Sequence, residues 1–82
     1  MQKAQPSRAF SGEKFRELRK AAGVKGSDIC RATGFHQNTV SAWATGRYIP
    51  SLESLIVLAD ILGCRVDDFF VSVKEASDAG VA

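Results

Sequence analysis

Apolar residues recur along this chain at the three- and four-residue spacing of amphipathic helices. The clearest example is a helix predicted over Gly12–Ala22, in which Phe15 and Leu18 share one stripe. Ser11 precedes it as a side-chain cap, and Gly23 follows it as a residue that tolerates a left-handed backbone. Pattern and capping signals therefore agree on where this helix begins and ends.

The same combination of apolar spacing and capping residues predicts four further short helices, at about Ser27–Thr33, His36–Ala44, Leu52–Leu62 and Asp67–Phe70. The Leu52–Leu62 segment is the most apolar, and its predicted core positions are Leu52, Leu55, Ile56, Leu58, Ala59 and Leu62. Val71–Val73 is too short to found a sheet. We expect an all-α, compact five-helix bundle over residues 11–73, with a flexible arm at 1–10 and a flexible tail at 74–82.

Four residues between the second and third predicted helices have the spacing of a helix-turn-helix. Gly34 lies in the turn, where two helices that cross steeply need a backbone position that accepts a positive φ. Cys30, four positions earlier, provides a small side chain at the crossing point. Val40 and Trp43 follow on the third helix, where they can hold its inner face against the core.

The outward face of the third predicted helix is unusually rich in amide and hydroxyl side chains. It begins with His36, Gln37 and Asn38 and continues with Thr39, Ser41 and Ala42. Asn and His are poor helix formers, so helix stability does not explain their presence here. Gln and Asn can form two hydrogen bonds with adenine in the major groove of DNA. This face is therefore a candidate surface for contacting bases.

The net charge of +2 hides an uneven distribution along the chain. Residues 1–50 contain nine basic and three acidic side chains, whereas residues 51–82 contain two basic and six acidic ones. The basic half suits a polyanionic ligand, and the acidic half should face away from it.

Composition argues against several other classes of function. The two cysteines, Cys30 and Cys64, lie in apolar helical patterns without a CxxC or Cys/His cluster, so neither a zinc site nor any other metal site is predicted. No nucleophile–base pair indicates catalysis, and no cofactor or small-molecule ligand is expected. The sequence contains neither a membrane-length apolar run nor the apolar core of a signal peptide, and we expect a cytoplasmic protein.

The order and spacing of these segments resemble the Cro/cI, or Xre-like, phage-repressor type of helix-turn-helix domain. The resemblance covers about Phe15 to Phe70, and it is carried by FRELRKAAG, ICRATGFHQNTVSAWATG, PSLESL and LADILGCRVDDFF. It implies a lambda-repressor-like domain whose third helix enters the major groove of double-stranded DNA. It also implies a homodimer that binds a partly palindromic operator.

The resemblance assigns candidate roles to individual residues. The base-contacting set is Gln37, Asn38, Ser41 and His36. The phosphate-contacting set is Lys25, Thr39, Thr45, Arg47 and Tyr48. Packing of Tyr48 against the fourth helix is an equally weighted alternative, and Trp43 is expected in the core and not as a stacking platform for nucleic acid bases.

Two positions depart from the family pattern. Gly26 stands where many members have a phosphate-binding glutamine, and Lys25 can replace that contact as a point charge. Arg19 matches an arginine that usually pairs with a glutamate, but Ala44 occupies the glutamate position. Arg19 is thus left either to reach DNA or to pair with Glu17.

We therefore expect a sequence-specific transcriptional regulator, a repressor, that binds duplex DNA. The alternative is an antitoxin-like or other protein-binding module built on the same fold. Phosphate contact and simple solvation are equally weighted for Arg16, Lys20 and Arg31. The first candidate for a dimer surface is Phe69–Val73, because its apolar residues exceed what the core obviously needs.

Overall fold

A computed structural model describes residues 8–72, and four α-helices account for most of them. In chain order the elements are β1 (Arg8–Phe10), α1 (Gly12–Ala22), α2 (Gly26–Thr33), α3 (Gln37–Ala44), α4 (Leu52–Leu62), a 3-10 helix (Val66–Phe69) and β2 (Phe70–Ser72). The four α-helices confirm the mostly helical prediction. The bounds of α1 and α4 are those predicted, while α2 begins one residue earlier than expected and α3 one residue later.

The caps that delimit α1 and α4 are formed as the sequence indicated. The Ser11 Oγ accepts a hydrogen bond from the backbone N–H of Lys14 at 3.1 Å. The Ser51 Oγ accepts one from the N–H of Ser54 at 3.2 Å. Each hydroxyl satisfies a backbone donor that has no partner within the helix, which fixes where the helix starts.

The end of the described chain differs from the prediction. The expected fifth helix at Asp67–Phe70 is a four-residue 3-10 helix, Val66–Phe69, followed directly by β2. Strand β2 pairs antiparallel with β1, with Phe10 opposite Phe70. The expectation that no sheet would form is therefore wrong, because a pairing between the two ends of the domain leaves no local signal in the sequence.

Residues 8–10, which we assigned to a flexible arm, belong to this sheet. Phe10 packs against the core with its ring centroid 6.4 Å from that of Phe15 and 6.2 Å from that of Phe69. The Arg8 guanidinium forms an ion pair with Asp67 and donates a hydrogen bond to its carbonyl at 3.0 Å. The rest of the predicted arm (residues 1–7), Val73 and the predicted tail (74–82) lie outside the described residues.

The core lies between the four α-helices and the 3-10 helix. Its buried members are Phe15, Ile29, Val40, Trp43, Leu55, Leu58, Ala59, Leu62 and Phe69. Phe69 is fully buried, while Phe70 and Val71 are half-buried in the two-stranded sheet. The suggestion that Phe69–Val73 forms the dimer surface is therefore wrong for Phe69, because the core takes up its side chain.

Helix α4 is less buried than its apolar composition predicted. Leu55, Leu58, Ala59 and Leu62 are buried, as expected. Leu52 and Ile56, which we also assigned to the core, are 67% and 48% exposed. Helix α4 carries apolar residues on more than one side, but the rest of the described chain covers only one of these sides. No helix among residues 8–72 has the length and apolarity needed to cross a bilayer.

Candidate nucleic-acid interface

The turn between α2 and α3 is held by a short set of hydrogen bonds. Gly34 adopts a φ of 85°, and its N–H donates to the Cys30 carbonyl at 2.8 Å. The Thr33 hydroxyl donates to the Ile29 carbonyl at 2.7 Å and accepts from the N–H of Phe35 at 3.0 Å. The turn that the spacing predicted is thus closed at Gly34, where a side chain would strain the backbone.

Aromatic packing fixes the inner face of α3. Trp43 is 5% exposed and meets two phenylalanine rings edge-on. Its ring centroid is 5.2 Å from that of Phe35 and 6.5 Å from that of Phe15. Val40 is buried one turn earlier on the same helix. Trp43 is thus a core residue, as expected, and it anchors α3 from the side opposite its polar residues.

A close backbone contact between α1 and the end of α3 adds to this anchoring. Gly12 is buried at the first position of α1. A Cβ atom on Gly12 would lie 2.7 Å from the Ala44 carbonyl oxygen and 2.8 Å from both the Gly46 nitrogen and the Trp43 carbonyl oxygen. Only glycine fits this approach. No local sequence pattern predicts this contact, because a glycine at a helix start usually marks a cap and not a contact between helices.

The outer face of α3 carries the predicted base-contacting residues. Gln37, Asn38, Thr39 and Ser41 are all exposed. Ala42, which we placed on this face, is only 4% exposed, so the prediction is wrong for this residue, which the fold buries together with Val40 and Trp43. Helix α3 is thus half polar and exposed, and half apolar and packed.

His36 lies at the start of α3, as predicted, but just before the helix and not within it. It precedes α3 as its N-cap residue, and its Nδ1 accepts a hydrogen bond from the N–H of Asn38 at 3.0 Å. One ring nitrogen is thereby occupied in starting the helix, and this nitrogen must be unprotonated to accept the bond. His36 thus orients the first turn of α3, where Gln37 and Asn38 lie.

The loop after α3 presents three predicted phosphate contacts on a fixed backbone. The N–H groups of Arg47 and Tyr48 both donate to the Ala42 carbonyl, at 2.9 and 3.3 Å. The Thr45 hydroxyl also donates to that carbonyl, at 3.2 Å. Tyr48 is 63% exposed, so most of its surface is accessible to a ligand. The Arg47 guanidinium lies 5.9 Å from the centre of the Tyr48 ring, which is close enough for a cation–π contact.

Arg19 lines two neighbouring hollows on the surface, one with a predicted phosphate contact and one with predicted base contacts. One hollow is lined by Arg16, Arg19, Lys20, Gly23, Val24 and Lys25. A neighbouring hollow is lined by Arg19, Gly26, Ser27, Cys30, Gln37, Val40, Ser41 and Ala44. The residues that line them include no acidic side chain, so an anion entering either hollow meets no negative side chain there.

The structure excludes one of the two roles left open for Arg19, the pairing with Glu17. Glu17 lies 4.0 Å from Lys14 and forms no ion pair with Arg19. The Arg19 guanidinium lies 5.4 Å from the centre of the Phe15 ring. Its Nε is buried and has no hydrogen-bond partner among the described residues. Arg19 is therefore a candidate DNA contact that the predicted site lacked, and the signal for it was the alanine at position 44.

Two other basic residues of this side are engaged within the protein. The Arg16 guanidinium donates to the Ala44 carbonyl and so links α1 to the end of α3. Arg31 donates to the Asp28 carboxylate at 2.7 Å. That carboxylate also accepts from the N–H of Lys25 at 2.9 Å, and these two bonds hold the pKa of Asp28 below its ordinary value. For Arg16 and Arg31, structural roles are thus observed directly.

The structure brings only part of the predicted site together. Arg19 lies with Gln37 and Ser41 in one hollow and with Lys25 in the next. The remaining predicted contacts are exposed on α3 and its following loop; they are Asn38, Thr39, Thr45, Arg47 and Tyr48. No group of three or more metal-ligating side chains occurs within residues 8–72.

Comparison with known proteins gives one result. A family model described as a helix-turn-helix domain matches residues 12–69, which is the segment from the start of α1 to the end of the 3-10 helix. No curated protein and no solved structure matches the chain.

Proposed function

This chain belongs to the helix-turn-helix domain family, and from that membership we propose a sequence-specific regulator of transcription in which α3 enters the major groove. Membership in the family implies DNA as the ligand. The Cro/cI-like type and the roles of individual residues are finer proposals, which rest on the geometry of α3 and its surroundings.

The observation that carries the proposal is the division of α3 into two faces. Val40 and Trp43 are buried, whereas Gln37, Asn38 and Ser41 are exposed on a helix held at both ends. Eight residues make a helix about 12 Å long, which fits a major groove about 12 Å wide. Its first turn carries the amides, and recognition helices usually contact bases with their N-terminal residues.

Phosphate contacts are proposed for the residues around this face. Arg19 lines one hollow with Gln37 and Ser41 of α3 and a second one with Lys25, and Arg47 lies on the loop after α3. Thr39, Thr45 and Tyr48 add hydroxyl donors. Contacts of this kind set the register of a protein on duplex DNA without selecting the sequence. Selection of the DNA sequence is proposed for Gln37, Asn38 and Ser41. His36 positions the first turn of the helix on which they lie.

We further propose that the chain acts as a repressor and binds as a homodimer. A domain that occupies operator DNA blocks access to it without needing any further surface. One such domain buries about 600–1,000 Å² on DNA, which is little for tight specific binding. Two copies on half-sites about 34 Å apart double the contacts and match a two-fold symmetric operator.

The test is selection of bound duplexes from a random DNA pool by the full chain, at low and at moderate salt. The proposal predicts a palindromic consensus with two half-sites at both salt concentrations. A consensus with a single half-site would contradict the dimer but keep the specific contact. Bound duplexes without any consensus would contradict sequence-specific binding, and would favour the alternative in which this fold serves a protein partner.

A further inference from the structure

Four apolar side chains are exposed in the loop between α3 and α4 and along the first half of α4. Tyr48, Ile49, Leu52 and Ile56 are 63%, 69%, 67% and 48% exposed. Leu52 and Ile56 are four residues apart on a helix, so they share one face. Tyr48 and Ile49 immediately precede that helix. We call these four residues the α4 patch.

We propose that the α4 patch is the surface on which a second copy of this chain docks, with a two-fold axis through the patch. The inference rests on the proposed function, because it names the contact between the two copies that bind the operator. It replaces Phe69–Val73 as the dimer surface. The apolar side chains of the α4 patch reach solvent, whereas Phe69 does not.

The exposed area of the patch suits a contact between two small domains. The four side chains expose roughly 500 Å² per copy, so an isologous contact buries roughly 1,000 Å² in total. Single patches of this extent on soluble monomers are often functional. A total of that size is typical of weak or transient association. The dimer should therefore dissociate readily in free solution and form on DNA.

The location of the patch favours a second copy over an unrelated protein. It is continuous with the loop that carries Arg47 and Tyr48, next to the proposed DNA-binding face. The proposal requires a two-fold axis at this point to place both α3 helices on the same duplex.

Charges at the ends of the patch fit an antiparallel pairing. Asp60 is exposed one turn beyond Ile56 on the same helix face, and Arg47 is exposed just before the patch. A two-fold axis that makes the two α4 helices antiparallel brings the acidic end of one copy towards the basic end of the other. The patch itself contains no charge, so no like charges are buried against each other.

The experiment compares Leu52→Glu and Ile56→Glu with Val57→Glu. Val57 is also an exposed apolar residue of α4, at 38%, but it lines a different hollow together with Thr33 and Phe35. All three variants add one negative charge to the same helix, so general repulsion from DNA is matched. Thermal melting of each variant shows that it folds. Each is titrated into the selected full operator and into a single half-site, and its stoichiometry is read by sedimentation.

On the full operator, Leu52→Glu and Ile56→Glu should bind about 100-fold more weakly than Val57→Glu, because the second copy no longer binds with the help of the first. On the half-site all three should bind alike. Equal full-operator affinities for all three variants would overturn the inference. So would a wild-type chain that remains a monomer on the full operator, or one that binds a different protein through Leu52.

Failure of the proposed function would look different. A wild-type chain that binds no duplex refutes DNA binding but leaves the patch open to test by sedimentation of the free protein at millimolar concentration. The wild type and Val57→Glu should then self-associate, and Leu52→Glu should not. Self-association of Leu52→Glu equal to that of the wild type would overturn the inference by itself.

Discussion

Replacing Gly12 by alanine should destabilise the domain, although alanine is the better helix former. The added Cβ would lie 2.7 to 2.8 Å from three backbone atoms of Trp43, Ala44 and Gly46. The shortest of these distances is about 0.7 Å below 3.4 Å, the value at which ordinary contact begins. Backbone atoms cannot swing away like the end of a side chain, so α1 or the end of α3 must move.

Overpacking of this kind typically costs 1–3 kcal/mol of folding free energy. Alanine recovers up to about 1 kcal/mol of helix propensity relative to glycine. From the middle of the overpacking range, about 2 kcal/mol, this leaves a net loss of about 1–2 kcal/mol, which corresponds to a fall in Tm of roughly 4–16 °C for a domain of this size. Because the strain falls on the end of α3, operator affinity should fall as well.

Gly26→Ala is the matched control. Gly26 is also the first residue of its helix, but a Cβ there would lie 3.7 Å from Val40 and 3.8 Å from Arg19, which is ordinary contact. Its Tm should be equal to or above that of the wild type, since alanine restricts the unfolded chain. Thermal melting followed by circular dichroism measures both. If Gly12→Ala melted within about 2 °C of Gly26→Ala, the close approach of α1 to α3 would be refuted.

Three further predictions concern the charged residues. Arg47→Ala should weaken binding to all duplexes about equally and lower the slope of affinity against salt by about one, as measured by titration at several salt concentrations; an effect confined to the operator would contradict a phosphate contact. Ala44→Glu places a carboxylate in the hollow lined by Arg19, whose Nε has no hydrogen-bond partner among the described residues. The Tm should therefore rise while operator affinity falls. An unchanged affinity would show that Arg19 does not contact DNA. The lowered pKa of Asp28 means that its contribution to stability is present above the ordinary value of 3.8 and is lost as the pH falls through the folded-state value. Urea denaturation should therefore show a smaller loss of stability on acidification for Asp28→Asn than for the wild type, and identical pH profiles would contradict this.

The helices were predictable because their signals are local. Ser11 and Gly23 mark α1, Ser51 and Gly63 mark α4, and each acts through hydrogen bonds within a few residues. The exposed amides of α3 followed from the same reasoning, since burial of Val40 and Trp43 leaves Gln37 and Asn38 on the other side.

The features that were not predicted depend on contacts between distant segments. Strand β1 pairs with β2 at the far end of the domain, and no local pattern records such a partner. Gly12 of α1 lies against the backbone at the end of α3, and the periodicity of α3 cannot reveal that approach. Leu52 and Ile56 are exposed because nothing in the described chain packs on that side of α4. Apolar character therefore predicted which residues can be buried, but not which of them are.

The central claim is that α3 contacts bases through its first turn, and the most direct test is a comparison of the wild type with Gln37→Ala at single base pairs. Affinity is measured for the selected operator and for every single-base-pair variant of one half-site. The account predicts that Gln37→Ala loses about 1–3 kcal/mol of discrimination at one or two adjacent base pairs and keeps it at the others. Unchanged discrimination at every base pair, or an equal loss at all of them, would contradict the account.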